Sequence, residues 1–261
     1  MPKTGRVIGM PVTVGSTAGI AETIMRVARE RHGGYVCVAN VHMVTTARRN
    51  EKLHQIMEKS LVVTADGLPL VWMLKQNGFG EAERVVGTDL TLRLCERAGA
   101  EGMPVYFYGG TPETIRLLEA SIAKRFPTLK GFYESPPLLP ERPEVDQDVL
   151  DRINESGARI LFVGLGCPKQ EFWMAAYRPH LSAVLLGVGA AFDFIAGTVK
   201  RAPGWMQRCG LEWLHRLAVD PRKTWKRYAT TNPVFVWMVV REYLKRKAYR
   251  ADKGQGVRGK E

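Results

Sequence analysis

Five short apolar runs, each ending in a turn, constrain this chain more than any other feature: YVCVAN (35–40), LVVTADG (61–67), PVYFYGG (104–110), RILFVGLG (159–166) and AVLLGVG (183–189). Runs that are apolar throughout, rather than alternating, belong to strands covered on both faces. The stretches between them carry helical spacing. In PETIRLLEASIAKRF (112–126), Ile115, Leu118, Ile122 and Phe126 share one face, and Thr111 before Pro112 supplies a hydroxyl cap and a proline at the first helical position. Buried strands alternating with helices predict an α/β fold: a Rossmann-like, mainly parallel sheet flanked by helices. Ligands of such sheets bind beyond the carboxyl ends of the strands, where these turns gather. PPLLPERPE (136–144) reads as an irregular connection into a short acidic helix.

Charge divides the chain near Gly197. Residues 198–261 hold sixteen Lys and Arg against five Asp and Glu, so nearly all of the net +12 sits in the last quarter, together with Trp205, Trp213, Trp225 and Trp237. We expect a catalytic α/β domain over residues 1–197 and a basic helical appendage over 198–261, with Leu211, Leu214 and Leu217 as its docking face. A basic segment rich in aromatic rings suits an anionic membrane surface, and nucleic acid is not expected as a partner. The alternative is a solvated basic tail. No stretch approaches the roughly 20 apolar residues of a spanning helix, and the apolar run Val7–Val14 is broken by Gly9 and Pro11, too weak for a secretory signal. Cys37, Cys95, Cys167 and Cys209 form no C-x-x-C pair, so reduced thiols in the cytosol are expected. Whether the chain forms a homo-oligomer is left open.

The turns carry the candidate chemistry. In GLGCPKQEFW (164–173), Gly164 and Gly166 allow a tight turn, and Pro168 opens a helix whose first amides favour an anion, with Lys169 adding positive charge. Gln170 both donates and accepts, which suits a base or a sugar hydroxyl. In GVGAAFDFIAG (187–197), Gly187 and Gly189 precede small residues, and Asp193 either meets a ribose or favours a helix N-terminus. Asp66, in TADGLPLVW (64–72), follows an apolar strand at the reactive edge. A partly desolvated carboxylate there can act as a general base, although Asp-Gly is also ordinary turn chemistry. Asn40, Arg84, Asp89 and Gly109 occupy comparable strand-end or turn positions. In the tail, Arg201, Arg208, Arg216, Arg222 and Arg227 could bind diphosphate oxygens without a metal, or simply be solvated.

Other chemistries lose ground. Phe192 stands where G-x-G-x-x-G needs its last glycine, and no G-x-x-x-x-G-K-[ST] occurs, which opposes a dinucleotide oxidoreductase and a P-loop enzyme. Asp146 and Asp148 have D-x-D spacing but lie in a polar run that reads as a helix start, and no histidine motif suggests zinc. No metal and no cofactor are therefore expected. A non-catalytic membrane-surface adaptor would explain the tail but leave the glycine turns and Asp66 without a role.

ADGLPLVW, ERVVGTDL, GLGCPKQEFW, GVGAAFDFIAGTVKRAP and GLEWLHRLAVDPRKTWKRY, in that order, resemble the WecG/TagA/CpsF family of bacterial glycosyltransferases from about residue 5 to 230. The resemblance implies a GT-E-like fold and inverting, metal-independent transfer from a UDP-sugar to a polyprenyl-diphosphate-linked saccharide at the cytoplasmic membrane face. The donor implied is UDP-N-acetylmannosamine, its uronic acid or UDP-glucose. It also implies Asp66 as catalytic base, a pocket built from Asn40, Arg84, Gly109, Gly166, Lys169, Gln170, Gly187 and Asp193, and diphosphate contacts from Arg216, Arg222 and Arg227. The sequence departs from the family pattern at Val38, where relatives often carry threonine.

Overall fold

Each apolar run becomes a strand, and each strand is buried on both sides because its side chains alternate between two cores. The computed structural model describes residues 3–255, so positions 256–261 of the expected appendage lie outside the described residues. Strands β1 (Thr4–Val7) and β2 (Met10–Thr13) form an antiparallel hairpin, followed by helix α1 (Thr17–Glu30) and strand β3 (Gly34–Ala39). Helices α2 (Val41–Ala47) and α3 (Glu51–Glu58) lead to β4 (Val62–Ala65), and α4 (Leu68–Gln76) and α5 (Gly87–Ala100) lead to β5 (Val105–Gly109). Then come α6 (Pro112–Arg125), β6 (Gly131–Glu134), α7 (Gln147–Glu155), β7 (Ile160–Gly164), α8 (Lys169–Tyr177), β8 (Val184–Gly187) and α9 (Ala191–Ala196). The chain closes with α10 (Gly204–Arg208), α11 (Glu212–Val219) and α12 (Pro221–Gln255).

Six strands make one parallel sheet in the order β4-β3-β8-β7-β5-β6. Cys37, Ala39, Val63, Leu161, Val163 and Leu185 face one core, which α2, α3, α4, α7, α8 and the hairpin cover. Val36, Val38, Val62, Ile160, Phe162 and Leu186 face the other, under α1, α5, α6 and α9. From β3 the chain steps outward to β4, and from β5 it steps outward the opposite way to β6. β3, β8 and β7 therefore end beneath an open crevice, the usual ligand position in such sheets.

Local signals are met as expected at several points. Thr111 caps α6, its hydroxyl accepting the Thr114 N–H at 3.1 Å. Asp146 caps α7 by accepting from the amides of Asp148 and Val149, so the D-x-D pair is a helix start. Gly109 has a structural reason to be glycine: φ is +127°, and a Cβ there would sit 2.6 Å from the Gly164 carbonyl carbon. Two elements were not anticipated. The hairpin forms because the chain reverses at Ile8 and Gly9, both at positive φ, and β6 is a short, half-buried strand at the sheet edge.

The basic tail folds back on the sheet layer. Helix α12 packs on α2, and Phe235 is buried in the first core. Arg201 forms a two-armed ion pair with Asp89 of α5, at 2.7 and 3.1 Å. Of the expected leucine docking face, Leu214 is exposed while Leu211 and Leu217 are half-buried, and α11 also meets the body through the Glu212–Arg84 ion pair.

Candidate functional site

At the carboxyl ends of β3, β8 and β7 the turns close around a cavity of about 400 Å3, walled by Gly164, Gly166, Gly187, Gly189, Asn40 and Gln170, with Arg216 and Arg227 reaching in from the tail. The two glycine turns interlock through one side chain. Gln170 is 3 % exposed; its Oε1 accepts the Gly166 N–H at 3.2 Å and its Nε2 donates to Glu171 Oε1 at 2.8 Å. A Cβ on Gly187 would lie 2.9 Å from Gln170 Nε2 and 2.8 Å from Met174 Cε, so the glycine at the end of β8 makes room for the amide. Gln170 thus braces the turn while lining the cavity. Burial pushes the Glu171 carboxyl up to about 7, and its second oxygen has no hydrogen-bond partner among the described residues.

Asp66 follows β4 and stands between two cavities. It lines the first, and it also lines a second cavity of about 400 Å3 whose walls include Leu68, Pro69, Trp213, Tyr228, Phe235 and Val236. The first is rich in backbone turns and guanidinium groups; the second is mainly apolar. Asp66 Oδ1 is buried with no hydrogen-bond partner, and the side chain as a whole is 26 % exposed. Burial raises its carboxyl to about 6, against the opposing pull of Arg84. A carboxyl that is partly desolvated, with one oxygen accepting no hydrogen bond, and that lines two cavities has the properties of a general base.

Asn40, Asp66 and Glu212 belong to both cavities, as do His42 and Arg216. Asn40 caps α2, its Oδ1 accepting the Met43 N–H at 3.1 Å. Arg84 lines the apolar cavity, and its guanidinium is committed to protein acceptors: Nε donates to the Asp66 carbonyl at 2.5 Å, Nη1 to the Gln207 carbonyl at 3.4 Å and Nη2 to Glu212 Oε2 at 2.6 Å. Arg216 lies over the Phe194 ring, 5.4 Å from its centroid. Arg227 Nε is buried without a hydrogen-bond partner, an arrangement that favours an anion in the cavity. A third cavity, behind the first, shares Asp193, Arg216 and Arg227 with it and is walled by the hydroxyls of Thr111, Thr114, Thr198 and Thr224.

A model of the glycosyl transferase WecG/TagA/CpsF family matches residues 5–249, from the hairpin to the far part of α12. The chain belongs to this family. It is therefore a glycosyltransferase. Among the described residues no helix is long and apolar enough to cross a membrane, and no three His, Cys, Asp or Glu side chains group as metal ligands would.

Against the WecG/TagA/CpsF expectations, the structure brings Asp66, Asn40, Gln170, Gly166, Gly187, Asp193, Arg216 and Arg227 to one crevice. Others lie apart from the polar cavity. Lys169 donates to the Leu139 carbonyl at 2.5 Å, Arg222 is on the exposed side of α12, and Gly109 lies behind Gly110, which does line the wall. Sequence reasoning missed His42 and Glu212. Burial, with Arg227 nearby, pushes the His42 imidazole down to about 4, so it is neutral at pH 7. Glu212 could have been suspected as an acid in the first turn of a helix within an otherwise basic segment.

Proposed function

We propose that the protein is an inverting, metal-independent glycosyltransferase that moves a sugar from a UDP-sugar to a polyprenyl-diphosphate-linked saccharide at the inner face of the cytoplasmic membrane. One observation carries this reading: the Asp66 carboxylate, one oxygen of which is buried and accepts no hydrogen bond, lies in the wall shared by a polar, cationic cavity and an apolar one. The donor takes the polar side, its diphosphate near Arg216 and Arg227 and its uridine and sugar among Asn40, Gln170 and Asp193. The lipid-linked acceptor takes the apolar side. Asp66 removes the proton from the acceptor hydroxyl as that oxygen bonds to the anomeric carbon, and the bond to UDP breaks on the opposite face. Negative charge appears on the departing diphosphate, and the two guanidinium groups offset it where a metal ion would otherwise be needed.

Residues 1–197 act as the catalytic domain and 198–261 as an appendage that docks on the membrane and completes the site. The outward side of α12 supports this, for Val236, Trp237, Val240, Tyr243 and Leu244 are exposed large apolar residues, and Arg241 lies 5.3 Å from the centroid of the Trp237 ring. Apolar side chains next to cations match an anionic lipid surface.

The test is transfer from a panel of UDP-sugars to a lipid-linked acceptor, with calorimetric titration of UDP in the presence and absence of chelator. We expect chelator-insensitive binding. Asp66→Asn should lower the transfer rate by about 10³-fold while leaving UDP affinity within about threefold, in line with the loss of a general base. A variant transferring at near the native rate would remove Asp66 from the role.

A further inference from the structure

We propose that Glu212 is a positioning residue for Asp66: by drawing Arg84 to itself it leaves the Arg84–Asp66 ion pair long and the carboxylate of the base basic, an inference that rests on the transferase reading above. The geometry is a relay of three side chains. Arg84 Nη2 is 3.7 Å from Asp66 Oδ1 and 2.6 Å from Glu212 Oε2. The guanidinium is therefore drawn to the tail rather than to the base, and Asp66 Oδ1 accepts no hydrogen bond although a cation lies beside it. The other two arms of Arg84 hold the Asp66 and Gln207 carbonyls, so the fork is fixed and cannot swing to a substrate without breaking contacts on two elements.

Charge counting around Asp66 shows what Glu212 adds. The groups that face the carboxylate are Arg84 from the segment before α5, Arg201 from the segment before α10, Arg216 and Glu212 from α11, and His42 from α2, which is neutral. Arg201 is already paired with Asp89, which leaves Arg84 and Arg216 against Glu212. Take Glu212 away and Arg84 becomes an uncompensated charge within ion-pair reach of the base, which would hold Asp66 as an inert, weakly basic carboxylate. Glu212 opposes this directly, and it lines both cavities with a side chain only 18 % exposed. Because Glu212 belongs to α11, the strength of the base depends on a residue of the tail.

The experiment compares the full chain with Glu212→Gln and Glu212→Asp. Asp66 is titrated by 13C NMR of carboxyl-labelled aspartate, its resonance assigned by its loss in Asp66→Asn, alongside the pH profile of kcat/KM and the UDP dissociation constant. In E212Q the Asp66 midpoint and the acid limb of kcat/KM should fall together by about one pH unit, with UDP affinity within about threefold, since Arg216 and Arg227 stay in place. E212D, which keeps the charge, should hold the midpoint within about 0.3 unit while kcat falls several-fold. An unmoved midpoint in E212Q overturns the proposal. So does a drop that comes only with a tenfold loss of UDP binding, which would mean that Glu212 merely docks the tail, and so does a full-unit drop in E212D. Should the native chain transfer no sugar, the function reading fails, yet the NMR titration still decides the role of Glu212.

Discussion

Asp66 works against the fold that holds it. Its carboxyl is raised from 3.8 to about 6, chiefly by burial, so the folded chain binds that proton more tightly than the unfolded one. The associated stability is present below pH 3.8 and is lost as pH rises through about 6. The loss is at most roughly 2 to 3 kcal/mol for a shift of this size. Asp66→Asn should therefore be more stable than the native chain at pH 8, the gap closing as pH falls towards 4, as read from urea unfolding at a series of pH values. An equal gap at all pH values would contradict a desolvated acid. That this residue stands at the sheet edge was legible from its place after an apolar strand. The directions of its neighbours were not, because side-chain aim in loops is set by distant packing. Lys169 is spent on the Leu139 carbonyl and Arg84 on three protein acceptors. Glu212 was hidden for another reason: an acid in the first turn of a helix is favoured there whatever else it does.

At the scale of elements, what could be read was what repeats. β3, β4, β5, β7 and β8 announce themselves as continuous apolar runs because parallel strands are covered on both faces. β6, with the sequence GFYE, lies at an edge, is only half-buried and carries too little apolar signal to stand out. The β1–β2 hairpin hides behind Gly9 and Pro11, which read as interruptions and are in fact its turn and its second strand. Helix α12 shows the opposite problem, a visible segment with an ambiguous purpose. Trp237 is 58 % exposed, so replacing it should change folding stability by no more than about 0.5 kcal/mol. If this side of α12 meets lipid, Trp237→Glu should weaken partition onto phosphatidylglycerol vesicles by about tenfold, since it removes an interfacial ring and adds a repelled charge. Unchanged sedimentation with vesicles would assign the exposed side to something else.

For the whole molecule, the charge balance shifts near Gly197, but only the structure reveals how the tail returns. It is clamped by Arg201 on Asp89, by Glu212 on Arg84 and by Phe235 in the sheet-side core. The result is a wall shared by two chambers, to which Asp66 and Glu212 both belong. On the proposed reading, with the nucleotide sugar in one chamber and the lipid-linked acceptor in the other, neither would have to leave before the other enters. Initial-velocity lines at varied donor and acceptor should accordingly intersect, the mark of a ternary complex, whereas parallel lines would mean that the sugar rests on the enzyme between two visits.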